Sequence, residues 1–306
     1  MRRVSATAPG PAGAGTAPVA VALTLLAFTF IPLGDAAGKL LTEVHGLSPG
    51  LVAWSRFALG ALIVLPFLRD RGAALLLLGD WRVWLRAGLL AATILSVLTA
   101  LSQAPMATVF GIFFLGPILS YGLGAWLLSE RVGPARTALL LAGFGGVLLV
   151  VQPGASLPPG AGASVLAGLS YGAFLTASRW LQHRGSAGGM LFAQLLIGAL
   201  LLAPLGLPAL PDLAAREPEV AVGALLLASA VASMAGNLCL IAAYRRAPAS
   251  RLAPFVYFKL VAATAVGWAV FGDWPGPVTL AGLGVLVASG LATLLLRPEA
   301  PRPPPG

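Results

Sequence analysis

From Leu252 to Gly272 the chain runs twenty-one residues with a single charge, Lys259, and comparable apolar runs recur along most of its length. A water-soluble core cannot absorb repeated runs of about 18 or more apolar residues, whereas a bilayer needs about 20 of them for each helical crossing. In lipid every backbone N–H and C=O must be satisfied within its own segment, so these runs are helices. Only 9% of the residues are charged and 58% are hydrophobic, against about 25% charged in a soluble domain. The chain therefore reads as one polytopic, all-α membrane protein. Its net charge of +9 would suggest nucleic acid in a soluble protein. Here the basic residues are the orientation signal of a membrane protein, and no nucleic-acid partner is expected.

Ten transmembrane helices are expected, at about 19–42, 49–68, 83–103, 106–128, 134–151, 162–181, 188–207, 220–243, 252–271 and 277–296. Ser48-Pro49 opens the second span, and Gln103-Ala104-Pro105 is the short turn before the fourth. Pro153-Gly154 through Gly162 is turn-rich and forms the natural hinge between two halves. Residues 1–18, with Arg2, Arg3 and an Ala/Pro/Gly-rich run, read as a disordered tail. A signal peptide is the competing reading, but the apolar run at 19–33 is long for one and stands far from the arginines. Residues 298–306 form a Pro-rich, unstructured tail.

Lys and Arg set the orientation. The tails and the loops after the second, fourth, sixth and eighth spans hold 14 of them, and the opposite loops hold one, Arg216. Lys39, Arg56, Arg179 and Lys259 remain in or at the edge of spans. Both termini are thus expected in the cytoplasm. Of the 19 basic residues 17 are Arg, which with abundant Ala, Gly and Pro suits a GC-rich bacterial genome and hence the bacterial inner membrane. The lone Cys239 excludes a disulfide within the chain.

The chain also repeats itself. At a shift of 143, Ala104-Pro105 answers Ala247-Pro248, Gly124 answers Gly267, Glu130 answers Asp273, and Gly133-Pro134 answers Gly276-Pro277. At a shift of 138, Arg56 to Pro66 answers Gln194 to Pro204. The expected organisation is a first five-helix repeat at 19–152, a loop at 153–161 and a second repeat at 162–297. Five crossings per repeat is an odd number, so the second copy enters the membrane inverted, about a pseudo-two-fold axis in the membrane plane. Ala-Pro-x-Ser-x-Leu-Ala-Pro-Phe at 247–255, Phe-Gly-Asp-Trp-Pro at 271–275 and Leu128-Ser129-Glu130-Arg131 resemble the drug/metabolite transporter superfamily, EamA type, over residues 19–297. The resemblance implies export or import of small organic metabolites, including amino acids and related compounds.

An ionisable group inside a spanning helix costs roughly 2.5–3.5 kcal/mol on insertion scales, so each calls for a reason. Asp35 and Lys39 stand four apart on the first span, in the favourable order for an intrahelical pair. Asp35 and Arg56 each lie about seven residues, or roughly 10 Å, below the outer surface. Asp35, Lys39 and Arg56 are therefore expected within reach of one another, as a structural ion-pair cluster or as an outer gate or substrate-carboxylate site. Snorkelling of Lys39 to the interface is a third reading. Lys259 lies roughly 10 Å deep from the cytoplasmic side without a carboxylate nearby in sequence. It reads as a cavity residue meeting substrate or a coupling ion, with snorkelling the alternative. Aromatics beside a few polar groups suit an amphipathic organic ligand, though they also pack against lipid and helices. The candidate substrate-binding or gating residues are Lys259, Arg56, Asp35, Lys39, Tyr257, Phe114, Asn237, Tyr171 and Trp54. For Asn237 and Gln194, interhelical hydrogen bonding is the default. Gly116-Pro117 and Pro254 should kink or break their helices. Glu130 and Asp273 read as interfacial caps or salt bridges.

These features point to a secondary transporter whose inverted halves rock about a midplane cavity. No GxxxxGK[ST] run occurs, so the drive is a gradient or exchange, with a coupling proton or exchanged solute as a further partner. No cofactor, metal or catalytic residue is expected, and the protein would work as a monomer or homodimer. The alternative is an integral-membrane enzyme such as a lipid or glycosyl transferase, which needs clustered His, Asp or Glu at the membrane surface. His45 and His183 fall in loops on opposite sides and the carboxylates are scattered, so that alternative is disfavoured. A pore or scaffold would need rings of charge or a filter-like loop, which the sequence lacks.

Overall fold

Capping explains where several helices begin. In a computed structural model describing residues 16–68, 70–127, 134–152, 157–181, 184–215, 220–244, 246 and 252–295, the described residues form helices and no strands. Helix α1 covers Thr16–Glu43, beginning three residues earlier than expected. In α2, Pro49–Val64, Ser48 accepts the Leu51 N–H at 3.2 Å and proline occupies the first turn, where its missing N–H costs nothing. Asp80 caps α3, Trp81–Leu101, by accepting the Arg82 N–H at 3.0 Å. The expected fourth span is broken into α4, Met106–Phe113, and α5, Leu115–Leu127. Pro117 explains the break: it has no N–H to donate to the carbonyl four residues back, that of Phe113.

Helices α6, Pro134–Val151, and α7, Ala161–Trp180, flank the junction of the halves. Ser186 caps α8, Ala187–Gly206, by accepting the Gly189 N–H at 3.1 Å. Helix α9 spans Val220–Tyr244. A 3-10 turn at Ala253–Tyr257, containing Pro254, precedes α10, Phe258–Phe271, and α11 covers Pro277–Leu295. Among the described residues six helices are long and apolar enough to cross a membrane. Four shorter apolar helices lie at Met106–Ser120, Thr137–Val151, Phe255–Phe271 and Pro277–Ala292.

The main packing partners are drawn from opposite halves of the sequence: α1 on α9 and α10, α2 on α8 and α9, α3 on α7 and α8, α5 on α7, and α6 on α11. One buried cluster accordingly mixes Leu101, Met106 and Phe110 with Leu260, Ala263 and Leu286. Lipid supplies no hydrophobic push between helices, so close backbone contact at small residues must hold them together. A Cβ placed on Gly146 would lie 2.8 Å from the Gly282 carbonyl oxygen, and one on Gly116 would lie 2.8 Å from that of Gly168. A Cβ on Gly145 or Gly284, on the same two helices, would meet nothing within 4 Å, so those two glycines are not contact points. The N-terminal segment to residue 15, Leu128-Ser129-Glu130-Arg131, Pro153-Gly154, His183, Arg216, Ala247-Pro248 and the C-terminal tail lie outside the described residues.

Candidate substrate cavity

A cavity of about 410 Å³ lies between the halves, walled by α1–α4 and α7–α10. It reaches from Asp35 and Arg56 to Arg184 and Gly185, just beyond the end of α7. The Arg184 side chain is 53% exposed and pairs with Asp80 at 3.2 Å, so this end meets the surface.

Lys259, in the first turn of α10, lines the cavity and is only 8% exposed. Its Nζ sits 4.7 Å from the ring centroid of Phe110, 4.5 Å from that of Phe113 and 6.0 Å from that of Tyr171. Among the described residues it forms no ion pair with a carboxylate. A desolvated cation–π contact is worth about 2 kcal/mol, so the rings offset much of the roughly 2.5–3.5 kcal/mol cost of the buried charge.

At the closed end of the cavity the Arg56 Nη1 donates to Asp35 Oδ1 at 2.7 Å. Its Nη2 donates to the Gly34 carbonyl at 2.6 Å and its Nε to Ser229 Oγ at 2.7 Å. The Ser229 hydroxyl in turn donates to the Gly34 carbonyl at 3.0 Å. Gly38 makes this possible, because a Cβ there would fall on the guanidinium. The Asp35–Arg56 pair thus meets as its depth in the sequence suggested, and the network ties α1 and α2 to α9. Asn237 and Tyr171 also line the cavity, and the Asn237 amide donates to the Ser233 carbonyl on its own helix at 2.8 Å.

Lys39 departs from the expected pair with Asp35. Arg56 holds that carboxylate, and Gly272, at φ 72°, ends α10 in a left-handed cap just before Asp273. The Lys39 Nζ donates to the Ala104 carbonyl at 3.1 Å and to Asp273 Oδ2 at 3.3 Å. It also lies 3.6 Å from Glu43 Oε2 and 4.7 Å over the Phe271 ring. Lys39 therefore does not line the cavity but joins the C-terminal part of α1 to the turns before α4 and after α10. Asp273 is in a salt bridge, as its place at a helix end suggested.

Comparison with known proteins fits this architecture. Residues 158–295 match the EamA-like transporter family. A riboflavin transporter of Vibrio cholerae is 30% identical over 274 residues, covering 86% of this chain and 88% of that protein. The chain belongs to the EamA-like transporter family, in the drug/metabolite transporter superfamily. An S-adenosylmethionine uptake transporter of Rickettsia bellii is 26% identical over 87% of this chain and 90% of its own length. A pseudopaline exporter of Pseudomonas aeruginosa is 27% identical over 86% of this chain and 90% of its own length. A solved crystal structure superposes with a TM-score of 0.62 over 90% of this chain and 97% of that one, at 22% identity, and supports the fold alone. This is a membrane-embedded small-molecule transporter. Nothing supports the enzyme alternative, and no cluster of three or more metal-ligating side chains occurs among the described residues.

Three further residues expected at the site of this EamA-like transporter stand elsewhere. Trp54 packs over Gly206, in the hydrophobic cluster around Leu51 and Phe57. Phe114, 2% exposed, stacks on Tyr257 at 5.2 Å, and Tyr257 covers Gly290. These positions are set by partners on other helices, Gly206 for Trp54, Gly290 for Tyr257 and Tyr257 for Phe114, which the spacing within one span does not reveal. In their place the cavity gains Arg86, Phe174, Ser178, Gln194 and Ser233. Arg86 reads in the sequence as an orientation charge flanking the third span. Its place one turn inside α3, four residues from Arg82, puts the two arginines on one face of the helix without saying which way that face turns.

Proposed function

We propose that this protein is a secondary active transporter that moves a small organic metabolite across the bacterial inner membrane by alternating access. The solute is an amino acid or related amphipathic compound, with export the favoured direction. The observation that carries this reading is the cavity between the two halves, with Lys259 buried in its wall and in no ion pair among the described residues. In this reading all ten apolar segments cross the bilayer and both termini lie in the cytoplasm.

The packing supports a two-fold relation between the halves. Number the crossings from one to ten, with α4–α5 as the fourth and α6 as the fifth, and exchange each crossing with the one five places on. The α1–α9 contact then becomes α7–α3, the α5–α7 contact becomes α10–α1, and the α3–α8 contact becomes α9–α2, all of which occur. The α2–α8 and α6–α11 contacts map onto themselves. By the arginine-rich loops, the Arg184 end of the cavity faces the cytoplasm, and the Lys39–Asp273 contact, outside the cavity, lies toward the outer side. In this reading the cavity opens inward and the Lys39–Asp273 contact latches the outer side. Opening outward requires Lys39 to leave Asp273 and the Ala104 carbonyl, a rearrangement that ligand in the cavity must favour. Riboflavin and S-adenosylmethionine, the compounds named for two relatives, each carry a planar ring beside polar groups, which suits an aromatic and polar wall.

The test is reconstitution into liposomes with radiolabelled metabolites supplied from either side, with and without a proton gradient. The expected result is movement of unmodified solute across the bilayer, slowed by Lys259→Ala. A solute recovered chemically changed, or no movement for any compound that binds, overturns the reading.

A further inference from the structure

The cavity lining carries four cations, Arg56, Arg86, Arg184 and Lys259, against one carboxylate, Asp35. Asp35 answers Arg56, and Asp80 answers Arg184 at the rim. Among the described residues two positive charges are left without a carboxylate, and both rest on aromatic faces. The Arg86 guanidinium lies 4.8 Å over the Phe174 ring, and its Nε donates to Ser178 Oγ at 2.9 Å. Its Nη1 is buried with no hydrogen-bond partner among the described residues. Lys259, at the other side, rests on Phe110 and Phe113.

The rings between the two cations form a continuous strip. Phe174 stacks on Tyr171 at 6.0 Å and 26°, and Tyr171 meets Phe113 at 4.8 Å and 35°. All three line the cavity. The geometry points to a planar aromatic or heteroaromatic anion, bearing a carboxylate or a phosphate, as the class of substrate this cavity takes. This inference rests on the transporter reading and narrows its substrate.

A buried guanidinium with an unused N–H loses free energy until an acceptor arrives, and a bidentate anion is the acceptor that suits its planar fork. In the empty protein the ring faces stand in for that anion. An acidic group entering the cavity draws Arg86 and Lys259 off the rings, and the uncovered faces then stack on the ligand's own ring. One event therefore satisfies both the charge and the apolar surface. A neutral ring gains only the stacking, and it must compete with the cations for the same faces. A ligand of net positive charge meets the uncompensated pair directly and is disfavoured.

The purified full-length protein in detergent is titrated with matched probes, with calorimetry and thermal shift as readouts. The probes are riboflavin 5′-phosphate against riboflavin, indole-3-acetate against indole-3-acetamide, and S-adenosylmethionine as the net cation. The expected result is at least about tenfold tighter binding of the anion in one or both pairs, falling below about threefold in Arg86→Gln and in Lys259→Gln. Arg86→Lys, which keeps the charge and loses the fork, should retain part of the preference and carries the test if Arg86→Gln does not fold. Equal or tighter binding of the neutral partners overturns the inference. So does tightest binding of S-adenosylmethionine, a preference that survives both substitutions, or no anion bound at millimolar concentration. Liposome transport is scored separately. Movement of solute without anion preference sinks this inference alone, whereas anion preference without movement sinks the transporter reading.

Discussion

Lys39 and Lys259 are the two lysines of the chain, each in a helix and each nearly closed off from solvent, at 3% and 8% exposure. Lys39 is surrounded by a backbone carbonyl, two carboxylates and a ring face of the fold. Among the described residues Lys259 has only ring faces for partners, and it opens on a cavity. The same ammonium group is a fastener where its partners belong to the protein. On the proposed function it is a recognition group where its partner comes with the solute. Burial alone does not separate the two roles; the supply of acceptors does.

Substitutions can break or sharpen that contrast. The largest effect is expected from Lys259→Ala, which should weaken binding of the transported solute by about 30-fold or more, since losing one partner of a buried charge contact costs about 2–5 kcal/mol. Thermal unfolding of the empty protein should fall little or even rise, because no protein carboxylate is stranded. Lys39→Ala should do the reverse. It leaves Asp273 and the Ala104 carbonyl short of a partner, lowering stability by about 1–3 kcal/mol with solute affinity held within about threefold. Should calorimetry and unfolding curves show both lysines behaving alike, the contrast fails. Asp273→Asn comes next, at about 1 kcal/mol, because Lys39 keeps its carbonyl partner and Glu43. Glu43→Gln should be smallest, under about 0.5 kcal/mol, because the side chain is 48% exposed and its 3.6 Å contact is screened by solvent.

The sequence carried the fold where the cause is local. Apolar length fixed the helices, Ser48-Pro49 marked a start, and Gly116-Pro117 announced the break between α4 and α5. Counting residues from the helix ends also put Asp35 opposite Arg56, because two helices joined by a short loop share their depth. What escaped depends on helices other than the residue's own. The partner of Lys39, Asp273, stands 234 residues away, and no spacing within the first span reveals it. Arg86 was read as an orientation charge because a position near a helix end does not tell which way the side chain turns. Trp54 and Tyr257 carry the chemistry of a binding site but are taken up by Gly206 and Gly290 on neighbouring helices.

The interleaving of the halves has a bearing on how such a protein tolerates being cut. If the chain is severed between Gln152 and Leu157, one fragment keeps Arg86 and the other keeps Lys259, so neither carries both of these cavity cations. Each fragment also loses the partners of nearly every helix it contains. Co-produced in one membrane, the two would have to find each other before anything could be carried, and activity would rise with the product of their abundances rather than with either alone.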